Sequence, residues 1–207
     1  MMSEIDADQP VRLYTPAVRG IVLEFLQRVD DRFVPPLSSG WRHGSLDHYL
    51  DYSLADGQGR ILLYHLPDEV VGFLAFRYEP SPGRLPGASI YLSNMCVTQS
   101  LMGIVLIRLF RGMLRQVARD TVGSPQRIWA KTWRDNTASA RTLERMGLQH
   151  RDTIASDPAF GGCRDTLIFE ASWPTFADSV LQLSASCHDS DAEESRSGRS
   201  RLRREDG

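Results

Sequence analysis

The spacing of apolar positions changes several times along the chain, and each change marks an element. After a short extended segment, VRLYTP, ends at Pro16, residues Val18, Ile21, Val22, Phe25, Leu26 and Val29 recur at helical intervals. VPPLSSGW interrupts that helix. A second helix follows from Ser45, a side chain suited to capping, with Leu46, Tyr49, Leu50 and Leu54 as its apolar face. RILLYHL and EVVGFLAFRY are rich in β-forming residues and meet across PDE, which predicts a hairpin. The loop SPGRLPG then leads into a further strand, ASIYLSNMCV.

From Gly103 the period returns to that of a helix. Leu106, Leu109, Phe110, Met113, Leu114 and Val117 form one apolar stripe, and Arg108, Arg111, Arg115 and Arg119 occupy the opposite face. A short strand, RIWAKTW, comes next, then a helix bounded by Asp135 or Asn136 and by Gly147. LQHRDTI and CRDTLIFEA supply two more strands around the turn-prone SDPAFGG. Hairpins followed by alternating strands and helices predict an α/β (α+β) domain: a mixed, mostly antiparallel twisted sheet of about six to seven strands, with helices on both faces.

Composition sets the limits of that domain. A chain of 207 residues with 42% hydrophobic content supports one buried core. Residues 1–10 are expected to be a flexible start, 11–173 the domain and 174–207 a disordered tail, because SASCHDSDAEESRSGRSRLRREDG is Ser-, Asp-, Glu- and Arg-rich with little to bury. The formal charge of -2 gives no overall pull toward nucleic acid or a membrane surface. The amino terminus lacks the basic start and apolar run of a secretory signal, and the three cysteines form no close-spaced metal pair. The expectation is a cytoplasmic protein, with edge strands that leave a homodimer open.

TWRDNTASARTLERMGL, residues 132–148, carries the most specific pattern. Asn136 is followed three residues later by Ser139, and the segment closes on Glu144, Met146, Gly147 and Leu148. This spacing resembles the fourth helix of the GNAT-type N-acetyltransferases, and the order of elements over residues 11–171 is similar to that fold. The resemblance implies acetyl-CoA as acyl donor and an amine of a small molecule or protein as acceptor. It also implies a wedge between two neighbouring parallel strands, where the donor's pantetheine arm lies.

On that resemblance Met95 and Val97 offer backbone groups to the pantetheine, Gly103 and Ile104 belong to the pyrophosphate loop, Arg108 contacts a phosphate, and the Asn136 amide bonds the cofactor arm. The departures from the family pattern are equally specific. Met102, Val105 and Ile107 stand where the loop usually has Arg or Gln, Gly, and Gly or Ala, and bulky side chains there are expected to hold a pyrophosphate off the helix amides. Leu143 stands where a tyrosine often protonates the leaving thiolate, and ASIYLSNMCV has no carboxylate to act as a base. The pattern therefore assigns no general acid or base, and proton removal has to run through water or another element; Glu79, ending the preceding strand, is one candidate.

Plainer roles stay open for these residues. Asn136 also suits a helix N-cap, Gly103 a loop end, the arginine stripe a solvated face, and Cys96 a small buried strand residue. The same departures are consistent with a GNAT-like domain that binds ligand or protein without efficient transfer.

Overall fold

A computed structural model of the chain describes residues 10–33, 36–39, 43–67, 69–79, 89–98, 102–120, 125–157 and 164–185. Its strands are β1 (Val11–Leu13), β2 (Gly59–Leu66), β3 (Glu69–Glu79), β4 (Ser89–Val97), β5 (Arg127–Trp133), β6 (Gln149–Ile154) and β7 (Thr166–Ser172). Its helices are α1 (Arg19–Val29), α2 (Leu46–Leu54), α3 (Met102–Arg119), α4 (Thr137–Arg145) and α5 (173–185). The strands form one seven-stranded sheet in the order β1-β2-β3-β4-β5-β7-β6. Among the described residues only β4 and β5 run parallel. The expected mixed, mostly antiparallel sheet is present.

Alternation along β2 and β3 sorts their side chains between two cores. Ile61, Leu63, Phe73 and Ala75 face α1 and α2, where Val22, Phe25, Leu26, Tyr49 and Leu50 are buried. Leu62, Leu74, Phe76, Ile90, Leu92, Ile128 and Phe169 face α3, α4 and α5. Of the predicted apolar stripe of α3, Leu109, Phe110, Met113 and Val117 are buried and Leu106 and Leu114 half-buried; Val105, outside that stripe, is buried as well, and on the opposite face Arg108, Arg115 and Arg119 are exposed and Arg111 half-buried.

Two glycines set the helices against the sheet. A Cβ on Gly72 would stand 2.6 Å from Val105 Cγ1 and 3.1 Å from Leu109 Cδ1, so β3 lets α3 approach only because that side chain is missing. Gly147, at φ +83, closes α4. The Leu148 amide donates to the Leu143 carbonyl at 3.0 Å and the Gly147 amide to that of Glu144 at 2.9 Å, satisfying carbonyls the helix end would leave unpaired.

The far end of α3 is held separately. Just beyond it the Asp120 carboxylate accepts from the Tyr78 hydroxyl at 2.6 Å, the Arg60 Nε at 3.1 Å and the Gln116 amide at 2.9 Å. These bonds tie the end of the helix to β2 and β3.

The expected boundary of a disordered tail at 174 is corrected. Residues 173–185 are helical, and Phe176 and Val180 are fully buried. The Ser172 hydroxyl caps the helix by accepting from the Thr175 amide at 3.2 Å, and the Phe176 ring meets that of Phe110 edge-on at 5.8 Å. The physical reason is a helical stripe, Trp173, Phe176, Val180 and Leu183, that the polar composition around it obscures. Residues 1–9 and 186–207, the rest of the expected termini, lie outside the described residues. Among the described residues no helix is long and apolar enough to cross a membrane.

Candidate functional site

The site begins where a ladder stops. β4 and β5 pair from Ser89 with Arg127 to Leu92 with Ala130, and the pairing goes no further although β4 runs on to Val97 and β5 to Trp133. Each strand stays attached on its outer side: β4 pairs β3 as far as Val97 with Gly72, and β5 pairs β7 as far as Trp133 with Thr166. The parting coincides with a bulge. The β3–β4 register shifts between Ala75 and Phe76, leaving Ser93 as an extra residue on β4, and its hydroxyl donates to the Ala75 carbonyl at 3.0 Å. An inserted residue bends and twists its strand, which turns β4 away from β5 at that level.

The resulting cavity is about 580 Å³. Met95, Val97, Leu106, Asn136, Ser139 and Leu143 are among its lining residues. Backbone direction follows from the β3 ladder. The Thr98 amide donates to the Val71 carbonyl at 2.9 Å, so alternation turns the polar groups of Cys96 and Asn94 toward β3 and those of Met95 and Val97 toward the opening. Consistent with that, the Val97 carbonyl accepts from Arg32 Nη1 at 3.4 Å across the opening. Buried backbone groups without ladder partners are costly, so this edge favours a ligand that supplies them.

The amino end of α3 has a different character from the one its sequence predicts. Gly103 and Ile104 are exposed, and a Cβ on Gly103 would meet nothing within 4 Å. The first amides of a helix lack intrahelical partners, so this open end suits an anion. Val105 is not an obstruction there, which corrects the expectation: its side chain is turned onto the sheet and fills the space Gly72 leaves. Ile107 likewise packs against the core. The Arg108 guanidinium donates to the Tyr64 hydroxyl and lies 5.8 Å from that ring's centre, and Arg108, like Gly103 and Ile104, does not line the cavity. Gln99 lies outside the described residues.

Asn136 serves as the N-cap of α4 while lining the cavity. Its side-chain oxygen accepts from the Ser139 amide at 3.1 Å, leaving its NH2 group unpartnered among the described residues. The two roles considered for it use different atoms. Leu143 is buried in the cavity wall, where it offers packing and no proton.

Titratable groups divide between the two ends of β4. Glu79 pairs Ser89 at the closed end and does not line the cavity. Four residues of strand separate that level from Ser93, about 13 Å. Burial raises the Glu79 pKa, opposed by Arg77, by a hydrogen bond from Trp129 and by the charges of Lys131 and Arg127. Cys96 does line the cavity, and burial pushes its thiol up, with Arg32 opposing. A raised thiol is a poor nucleophile. Among the described residues no group of three or more His, Cys, Asp or Glu is placed to hold a metal ion.

Sequence reasoning missed Arg32, Lys131, Trp133 and Arg164, all of which line the cavity. Lys131 and Trp133 follow Ala130 on the alternation of β5 once the last β4 pair is known. Arg164 lies 4.5 Å from the Trp133 ring centre and 3.8 Å from the Asp135 carboxylate. Arg32 comes from the turn after α1, and no local signal ties it to β4.

No family model matches the chain, and no curated protein matches it. Solved structures do. A probable acetyltransferase from Staphylococcus epidermidis superposes with a TM-score of 0.60 at 15% identity, covering 79% of this chain and 98% of that one. Arabidopsis thaliana NAA60 in complex with acetyl-CoA gives 0.57 at 13% identity, covering 78% and 98%. Arabidopsis thaliana Naa50 with the bisubstrate analogue CoA-Ac-MVNAL gives 0.54 at 20% identity, covering 79% and 99%. At these identities the likeness is one of fold: the chain has the fold of the GNAT-type N-acetyltransferases.

Proposed function

We propose that this chain is an acyl-CoA-dependent N-acyltransferase, moving an acetyl or similar acyl group directly to an amine of a small molecule or protein. The observation that carries the reading is the parting of β4 from β5 after Leu92 and Ala130, with the backbone of Met95 and Val97 turned into the opening. Support for the donor comes from neighbours of the same fold crystallised with acetyl-CoA or with a CoA-containing bisubstrate analogue.

The pantetheine arm and the pyrophosphate of the donor each have a counterpart in the chain. An extended pantetheine arm pairs with the open edge of β4 as an added strand does. Pyrophosphate suits the amides at Gly103 and Ile104, where the helix dipole also favours negative charge. The Asn136 NH2 group remains to donate to the arm. The donor supplies an activated carbonyl carbon; the chain supplies position and shelter from water, which together account for much of the rate in such reactions. The raised Cys96 thiol favours direct transfer over an acyl-enzyme.

Leu143 in the wall and Glu79 at the closed end favour a second reading, a domain that binds acyl-CoA without efficient transfer. Thermal unfolding with acetyl-CoA and with CoA separates the readings from their common alternative. A donor at about 100 times its Kd adds about 2.7 kcal/mol to stability. Ala138→Trp, on the exposed start of α4 and lining the cavity, should abolish that gain without destabilising the free protein. No stabilisation at millimolar ligand rejects both readings, whereas stabilisation without CoA release across a panel of amines favours the binder.

A further inference from the structure

The 24 basic side chains are 23 arginines and one lysine, Lys131, and that one lysine lines the cavity. An arginine guanidinium stays protonated in proteins and is not an acyl acceptor at neutral pH, whereas a lysine amine reacts once it loses its proton. If a positive charge alone were needed here, arginine would serve as it does at the other positions. The chain therefore carries a single side-chain amine, and the fold places it at the opening.

Its place in the register is specific. Leu92 with Ala130 is the last β4–β5 pair, so Lys131 is the first β5 residue past the parting, opposite the bulged Ser93. Alternation puts it on the same sheet face as Trp129, and its Nζ lies 5.9 Å from that ring's centre. No carboxylate is within ion-pairing distance of it among the described residues. Its charge is felt at the Glu79 carboxyl. An ammonium on a flexible four-carbon stem, not tied by an ion pair, is able to swing across the opening.

We infer that Lys131 is an internal acyl acceptor, so that the protein acylates itself at this one side chain; the inference rests on the donor reading above. The ammonium gives up a proton to solvent, and the neutral nitrogen attacks the thioester carbonyl carbon. A C–N bond forms as the C–S bond breaks, and the departing sulfur takes up the second proton shed by nitrogen. The products are an ε-N-acyl lysine and CoA thiol, with one proton released overall. Acylation removes a positive charge from the mouth of the cavity, so the modified and unmodified chains present different surfaces to an external amine.

The test uses the full chain with isotopically labelled acetyl-CoA, read by intact mass and by peptide mapping alongside thermal unfolding. The expected result is one acetyl group per chain, mapped to Lys131, formed at least about 100-fold faster than in the urea-unfolded chain. Lys131→Arg should lose that label and keep the donor-induced stabilisation. Stabilisation without label on Lys131 overturns this inference and leaves the donor reading standing. Label at equal rates in folded and unfolded chains, or confined to the terminal amine, also overturns it. Absence of both stabilisation and label rejects the donor reading and this inference together.

Discussion

Over Ser89–Leu92 the boundary between β4 and β5 is closed by ladder pairs, by Ile90, Leu92, Ile128 and Ala130 in the core beneath, and by Tyr91 stacked on Trp129 at 4.3 Å above. Over Ser93–Val97 the same two strands face each other across a cavity. A single extra residue separates the two regimes. The closed half is specified by side chains, while the open half is specified by backbone direction and tolerates varied side chains at its edge.

The largest effect is expected at the last closed pair. Leu92→Ala should cost about 2–5 kcal/mol, because a buried leucine leaves a cavity that its neighbours fill only in part. Urea unfolding measures it, and a cost below about 1 kcal/mol would mean that this pair does not hold the closed half.

Next comes the contact that seats α3 beside the opening. Gly72→Ala should cost about 1–3 kcal/mol through its clash with Val105. Combining it with Val105→Ala should recover part of that loss, since the two residues share one space. Strictly additive costs in a double-mutant cycle would separate α3 from β3 at this point.

At the open half the expected costs are smaller and the ligand effects larger. Asn136→Ala should lose about 1 kcal/mol of capping and also weaken the stabilisation given by acetyl-CoA. Asn136→Ser should restore the cap but not the ligand effect, because a hydroxyl replaces the cap acceptor and not the NH2 donor. Recovery of both would leave the cap as the whole role of Asn136.

The smallest effect concerns Glu79. Its carboxyl is raised in the folded state, so folding binds a proton more tightly than the unfolded chain does. Stability therefore falls as pH rises from the ordinary glutamate range through the raised value. Glu79→Gln keeps an acceptor for Trp129 and should flatten that fall in unfolding curves taken at stepped pH. Identical slopes in the two proteins would remove Glu79 from the balance.

Much of the fold was legible because helical and strand periods alternate cleanly from Val18 to Ala171. The carboxyl-terminal helix was not, since the four apolar positions of its stripe sit among Ser, Asp and Gln and only their spacing marks them. Met95, Val97 and Asn136, which the sequence pattern singled out, do line the cavity, because strand and helix ends fix their places, while Gly103 and Ile104 sit at the exposed start of α3 outside its lining. Val105 was misjudged because a one-dimensional pattern gives its distance from Gly103 but not how closely α3 packs on β3, which Gly72 decides. Arg32 and Lys131 depend on which strands part and where, a property of the sheet as a whole.

The Asp120 anchor has a mechanical consequence. α3 has 18 residues, roughly 27 Å of rod, clamped at one end by Asp120 and presenting Gly103 at the other. A tilt of about 5° at the clamp displaces the far tip by roughly 2 Å over that length. Loosening Tyr78, Arg60 or Gln116 would thus shift the Gly103 end from the opposite end of the rod, without touching a single residue of the cavity wall.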